Sequence, residues 1–265
     1  SGAPVWSAPT LDRQRGLLFY GTGENYTAPA TETSDAIFAV DIANGKRRWV
    51  NQFTANDTFN MACVAGGANC PEQEGPDLDF GAPPLLTKNS QGRELLYVAQ
   101  KSGAVSALDP LTGNQVWSQQ FGRGGYLGGI HWGLAADTQR GLLYVPISDF
   151  PAGLDLSAEP TPGLYALSLD DGSVQWFAAK DFSAQAREAL GFWPGLSAGI
   201  VAADGIVVSG DLAGQLEVYD AVSGKILWRY KTARSFITVN GREAEGGSID
   251  AHGPLLVDDL LLVSS

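Results

Sequence analysis

The sequence predicts an all-β protein, a β-propeller built from four-stranded antiparallel blades, and three observations lead there. The pattern Asp-x-x-x-Gly-x-x-x-Trp recurs as Asp41-Gly45-Trp49, Asp109-Gly113-Trp117 and Asp220-Gly224-Trp228, with Ser168-Gly172-Trp176 as a variant lacking the Asp. The four Trp residues lie 68, 59 and 52 residues apart, near the upper end of the spacing of propeller blades, with the surplus falling in loops. Composition agrees: 33 Gly and 14 Pro in 265 residues, with only 17% charged residues, favour many tight turns and short strands over a helical bundle.

Each copy of the motif follows a strand-like segment. In order these are GLLFYGTGEN (16–25), ELLYVAQKSG (94–103), GLLYVPISDF (141–150) and GIVVSGDLAG (205–214). Their apolar residues run together and stop at Gly, Ser or Asp, and β-branched or aromatic types are common among them, as in buried strands. The next stretch, AIFAVD or SALD, leads through an Asn-Gly or Thr-Gly turn into a strand that ends in Trp, which reads as a hairpin. One such sheet cannot cover both of its faces, so the units are expected to stack as a ring, with the repeated Trp residues packed between blades. After Trp228 the segment GGSIDAHGPLLVDDLLLVSS (246–265) has the opening strands of a fifth unit without its closing motif. Residues 1–265 are therefore expected to form one partial propeller domain of about four and a half blades, the rest of the ring lying outside this sequence or on another chain.

Charge and missing motifs remove several function classes. A net charge of −12 disfavours nucleic acid, whose binding rests on clustered Lys and Arg. It suits a soluble protein, and equally one that meets a basic electron-accepting partner. No apolar run reaches the ~18 residues of a membrane span, and SGAPVWSAPT lacks the features of a signal peptide. GxSxG, a Walker loop, GxGxxG after a strand and CxxCH are all absent, which disfavours a hydrolase, a nucleotide or nicotinamide enzyme and a c-type haem. The two cysteines, Cys63 and Cys70, share a Gly/Asn-rich loop; their spacing allows a local disulfide, and no His or further Cys lies near enough in sequence to complete a zinc site.

Three breaks in the repeat carry polar residues at strand ends. Gly21-Thr22-Gly23-Glu24-Asn25 offers close backbone approach and hard oxygens suited to calcium, although a turn uses the same residues. Gly75-Pro76-Asp77-Leu78-Asp79-Phe80-Gly81 alternates two acids, so that a carboxylate there is either a metal ligand and general base or part of a solvated acidic loop. Gly128-Gly129-Ile130-His131-Trp132-Gly133 flanks an aromatic pair with glycines, an opening for a flat ligand or a core Trp beside a satisfied His.

The combination of WSAPTLD, YGTGENY, GPDLDFGAPPLL, QKSGAVSALDPLTG and GGIHWGLAAD, in this order, resembles the quinoprotein alcohol dehydrogenases, and among them the polyvinyl alcohol dehydrogenase-like branch. The resemblance implies pyrroloquinoline quinone (PQQ) in the central channel of an eight-bladed propeller, stacked on an indole and bound to calcium. Trp6 takes the position of the stacking indole, Asp79 that of the catalytic base and a calcium ligand, and Lys101 that of the basic residue facing the quinone oxygens. His131 and Trp132 fall in a segment that approaches the cofactor edge. Glu24 stands where relatives carry an Asn calcium ligand, which leaves Glu24 and Asn25 as alternative metal ligands. Relatives carry a further acidic ligand and other cofactor contacts in blades that precede Trp6.

The resemblance thus implies a periplasmic or secreted enzyme that oxidises a secondary alcohol, small or polymeric, and passes electrons to cytochrome c. Two alternatives stand beside it. One is a non-catalytic propeller acting as a protein-binding scaffold, which has no need for Trp6, Asp79 and Lys101 together. The other is sugar oxidation, since glucose-type quinoproteins share the blade repeat, although WSAPTLD and GGIHWG favour the polymer-alcohol branch.

Overall fold

A computed structural model describes residues 2–150 and 159–265. The chain runs as a series of antiparallel meanders, each with its strands in sequence order. The first sheet is β1 (Thr10–Asp12), β2 (Leu17–Gly21), β3 (Ala36–Asp41) and β4 (Arg47–Gln52). A short helix α1 (Met61–Val64) precedes the second, made of β5 (Leu85–Lys88), β6 (Glu94–Ala99), β7 (Ala104–Leu108) and β8 (Gln115–Gln120). The third comprises β9 (Ala135–Asp137), β10 (Leu142–Ile147), β11 (Gly163–Ser168) and β12 (Val174–Ala179). After α2 (Ala184–Leu190), the fourth contains β13 (Val201–Ala203), β14 (Ile206–Gly210), β15 (Gln215–Asp220) and β16 (Ile226–Lys231). Two hairpins close the chain, β17 (Ser235–Ile237) with β18 (Glu243–Glu245), and β19 (Leu255–Val257) with β20 (Leu260–Leu262).

The expected propeller architecture is borne out, and the repeat has a mechanical explanation. In each full copy the Asp carboxylate accepts from backbone N–H groups of the turn: Asp41 from Ala43, Asp109 from Leu111 and Thr112, Asp220 from Val222 and Ser223. Ser168 does the same through its hydroxyl, from Asp170 N–H, so the variant motif keeps the turn. The motif glycines sit at φ of +68° to +74°, a region costly to residues with a Cβ. Three of the four motif Trp residues lie opposite a small residue, Trp49 on Ala39, Trp117 on Ala107 and Trp176 on Ala166, next to a register shift in the β3–β4 type pair, and from there each indole reaches the following sheet and covers that sheet's motif glycine. Trp228 differs: it lies opposite Val218, is 46% exposed and stacks on Tyr230, so the expected packing between blades holds for the first three.

A Cβ at Gly113 would stand 2.7 Å from Trp49, one at Gly172 2.7 Å from Trp117, and one at Gly224 2.5 Å from Trp176. The indole N–H groups donate to carbonyls of the same neighbouring turns, Trp49 to Pro110, Trp117 to Leu169 and Trp176 to Ala221. The glycine therefore serves both the turn and the blade-to-blade contact. Gly172→Ala is expected to destabilise by about 3 kcal/mol, combining left-handed strain with overpacking. Gly45→Ala, at φ +69° with nothing within 4 Å of the new methyl, should cost only the strain, about 1 kcal/mol. Denaturant midpoints of the two variants check the difference.

The core lies between successive sheets. Leu95, Tyr97, Val105 and Ala107 of the second sheet pack with Leu143, Val145, Tyr165 and Leu167 of the third. Equivalent clusters join the first sheet to the second, the third to the fourth, and the fourth to β19 and β20. This explains why β6 and β10 are apolar without alternation: both of their faces are covered. In a meander alternate connections emerge at the same end. The segments after β2, β4, β6, β8, β12 and β14 thus gather at one end of the sheets, and every polar break in the repeat falls there. Among the described residues no helix is long and apolar enough to cross a membrane.

Candidate cofactor and metal site

At that end the backbones of neighbouring sheets are laced together before any side chain contributes. Gly23 N–H donates to Pro4 O (2.9 Å), Lys101 N–H to Asp79 O (3.0 Å) and Phe80 N–H to Thr22 O (3.2 Å). These bonds bring the segment before β1, the β2–β3 connection, the β4–β5 connection and the β6–β7 turn to one point. The Asp57 carboxylate accepts from the N–H groups of Asp77 (3.1 Å) and Leu78 (2.9 Å) and holds Asp77 at φ +57°. Asp77 and Asp79 then both point at one cation: Lys101 Nζ is 2.9 Å from Asp77 Oδ1 and 2.5 Å from Asp79 Oδ2.

The other oxygen of Asp79 accepts from Glu24 N–H at 2.8 Å. Gly23 leaves room for this contact, because a Cβ there would stand 2.0 Å from Asp79 Oδ1. Oxygens of Glu24, Asp77 and Asp79 all lie within 4.8 Å of one another, and all three residues are buried. They form the floor of a cavity of about 420 Å³ that Trp6 and Lys101 also line.

Trp6 is held edge-on by Trp132 (centroids 4.9 Å apart, 73°) and by His131 (5.6 Å, 80°), with Lys101 Nζ 5.4 Å from its ring centroid. His131 is in turn fixed by Ser197, whose hydroxyl lies 2.9 Å from Nδ1 and donates to Asp250 Oδ1 at 2.6 Å. His131 and Trp132 therefore reach the site through Trp6 and are not among the residues lining the cavity; Trp132 lines a separate void of about 230 Å³ beside Pro83 and Pro84. Asn25, buried nearby, turns its Oδ1 to Thr31, accepting from the backbone N–H (2.6 Å) and the hydroxyl (3.1 Å), while Glu24 faces the two aspartates. Cys63 and Cys70 form the expected disulfide in the loop that leads to Asp77.

The electrostatics follow from crowding acids around one lysine. Burial, a hydrogen bond to Asp79 and the charges of Asp79 and Asp77 push the Glu24 carboxyl up to about 9. Burial also pushes Asp77 up, to about 7, against the pull of Lys101. Burial alone would raise Asp79 too, but hydrogen bonds from Glu24 and Lys101 and the lysine charge hold it below the ordinary carboxylate value. Burial and the nearby Lys101 charge lower His131 to about 4, so its imidazole is neutral at pH 7. Sequence reasoning missed Asp35 and Asp57 behind this cluster, both 0% exposed; burial and the Asp57 charge drive Asp35 up to about 10. Neither belongs to a motif, and only the folded chain brings them here.

Three clustered carboxylates against one ammonium are a hard-oxygen donor set short of positive charge, which fits a calcium-sized cation. The indole of Trp6, set beside Lys101 with its edges braced, fits a flat anionic cofactor. A stability consequence has a definite sign. The folded-state values of Glu24 and Asp77 are raised above 4.5 and 3.8, so the cation-free folded chain holds more protons than the unfolded chain across the intervening range. Stability should fall as pH rises from about 5 to about 9, and calcium should flatten that decline; denaturant midpoints with chelator and with calcium check both.

The stacked meanders thus carry an acidic site walled by the Trp6 indole at one end of their sheets. The chain is similar along its whole length to polyvinylalcohol dehydrogenases: it is 37% identical over 267 residues to that of a Pseudomonas species. It is 35% identical over 271 residues to that of Sphingopyxis sp. strain 113P3. Each match covers 100% of this chain and 41% of the relative, so the chain spans about two-fifths of their length. The crystal structure of quinohemoprotein alcohol dehydrogenase from Comamonas testosteroni superposes with a TM-score of 0.68 at 18% identity, covering 98% of this chain and 44% of that one, which speaks to the fold. The family model described as outer membrane protein assembly factor BamB matches residues 160–265. That region contains none of Trp6, Glu24, Asp77, Asp79 and Lys101; it holds the Ser168–Trp176 and Asp220–Trp228 copies of the repeat.

Proposed function

We propose that this chain is the cofactor-bearing part of a PQQ- and calcium-dependent dehydrogenase that oxidises a secondary, polymeric alcohol to the carbonyl. One observation carries the reading: Asp79 is held ionised between Glu24 N–H and Lys101 Nζ on the floor of a cavity walled by Trp6. When bound, PQQ would supply the two-electron acceptor and calcium a Lewis acid. Asp79 is the group that takes the hydroxyl proton, since its depressed carboxyl is the ionised acid of the cluster. Glu24 and Asp77 complete the oxygen donor set, with Asn25 occupied at Thr31. Lys101 keeps Asp79 in place and would offer its positive charge to the oxygens of a bound cofactor. Trp6 offers the flat face, and His131 and Trp132 fix its plane.

Residues 1–265 form one partial propeller domain in this reading, completed by further blades. The disulfide suits a periplasmic or secreted setting, and the net charge of −12 suits a basic cytochrome c as electron acceptor. The BamB match over residues 160–265 is the observation that favours a scaffold instead. Reconstitution with PQQ and calcium, followed by a dye-linked assay on secondary alcohols, separates the two. Saturable cofactor binding with turnover supports the dehydrogenase, whereas a folded, ring-complete protein that binds no PQQ overturns it in favour of the scaffold.

A further inference from the structure

The cavity is chemically two-sided. Its floor of Glu24, Asp77, Asp79 and Lys101 is no more than 7% exposed. Its mouth is apolar on one side, where Tyr26 and Met61 line it while standing 51% and 75% exposed. Large apolar groups left this open at the mouth of a cavity mark a place where something else covers them.

The ledge that carries them is pinned by contacts that lie outside the clusters between sheets. Helix α1 has no buried residue. Asn60 ties its parts together: Oδ1 accepts from Ala62 N–H at 2.9 Å, and Nδ2 donates to Tyr26 O and Asn69 O, each at 3.0 Å. The Cys63–Cys70 disulfide closes the same loop covalently. Beneath it, Phe59 is buried and stacks on Tyr126 from the β8–β9 connection, with centroids 6.2 Å apart and planes 22° from parallel. Three restraints on a segment that packs so little of itself hold the shape of the mouth.

We propose that Tyr26 and Met61 form a specificity ledge for a hydrocarbon chain that bears hydroxyl groups, so that the methylene side of a polymeric alcohol lies on the ledge while one carbinol meets Asp79. The inference rests on the dehydrogenase reading and adds the substrate feature that the site recognises. A small alcohol fits on the floor alone and gains nothing from the ledge. A polyvinyl alcohol segment presents alternating CH₂ and CHOH units, and it can bury methylenes against Tyr26 and Met61 and place a hydroxyl over the carboxylates at the same time.

The test is binding and turnover with vinyl alcohol oligomers on the whole chain, as wild type, Tyr26→Ser and Met61→Ser, with Leu111→Ser as control. Leu111 is 61% exposed in the turn between β7 and β8 at the opposite end. Titration calorimetry without cofactor reads oligomer binding directly. Each ledge variant should weaken it roughly tenfold, the loss expected from about 60 Å² of apolar contact, and the control should not. In the reconstituted protein the ratio of kcat/KM for the oligomer to that for propan-2-ol should fall by a similar factor, chiefly through KM. Reducing the disulfide should lower the same ratio. Unchanged oligomer binding in both variants overturns the ledge, as does equal binding of dextran oligomers. Oxidation of propan-2-ol without oligomer binding overturns the ledge and leaves the dehydrogenase standing. Oligomer binding with no oxidation of any alcohol overturns the dehydrogenase reading instead.

Discussion

Asp79→Asn is expected to lower turnover by about 10²- to 10⁴-fold, the usual contribution of a positioned general base, and to lower the denaturation midpoint only by the loss of one contact to Lys101. The two effects separate because of how the residue is held. Its backbone carbonyl accepts from Lys101 N–H at 3.0 Å, and this bond is indifferent to the side chain. An amide oxygen in place of Oδ1 still accepts from Glu24 N–H, a contact now 2.8 Å long. Lys101 keeps Asp77 as a counter-ion at 2.9 Å, so no buried charge is left alone. What the amide cannot do is take a proton from an alcohol. The measurement is steady-state turnover of the protein reconstituted with PQQ and calcium, beside cofactor binding by fluorescence. Retained turnover would remove Asp79 from the catalytic role, and lost cofactor binding would show that its main contribution is to the metal.

Much of the fold was legible in the sequence because a propeller repeats its local chemistry. The Asp-x-x-x-Gly-x-x-x-Trp copies marked the turn and the last strand of each blade, and the apolar runs marked strands covered on both faces. The partner of each Trp was not legible from one copy, because Gly113 is explained both by its φ of +74° and by the face of Trp49. A second repeat went unread. The segments entering β1, β5, β9, β13 and β19 align as Trp6, Gly81, His131, Ser197 and Ala251, a ring of inner positions that explains why Trp6 meets His131 and why His131 meets Ser197. The helices α1 and α2 were missed because they fall in surplus loop sequence with no periodic pattern. In the candidate site, the family resemblance implied Glu24, Asp79 and Lys101, whereas the place of Asp77 beside them, the burial of Asp35 and Asp57 and the turning of Asn25 toward Thr31 depend on long-range packing. The ledge was invisible for the same reason: MACVAGGANC shows a disulfide loop, and only the fold sets Met61 beside Tyr26.

Gly81 puts that second repeat to work, and Gly81→Ala is expected to weaken PQQ binding about 100-fold. The inner ring position is an indole at Trp6, an imidazole at His131 and a hydroxyl at Ser197, so a hydrogen at Gly81 is the exception that requires a cause. A Cβ there would stand 2.2 Å from Trp6 Cη2 and 2.6 Å from the backbone oxygen of His131. The carbonyl cannot easily retreat, because Ile130 N–H is bonded to Gln100 O and His131 is fixed through Ser197. The indole must therefore move or tilt, and in the proposed function it is the face that would meet the cofactor. Overpacking of this kind costs about 1–3 kcal/mol, and if most of it falls on the bound geometry of Trp6 the upper end corresponds to about two decades of affinity. The four-stranded sheets are untouched, so thermal stability should change far less than binding. Fluorescence titration of PQQ in the presence of calcium reads the affinity, and Trp6→Ala measures the same loss from the other side. An alanine variant that binds PQQ as tightly as the native chain would show that Trp6 is not the surface on which the cofactor rests.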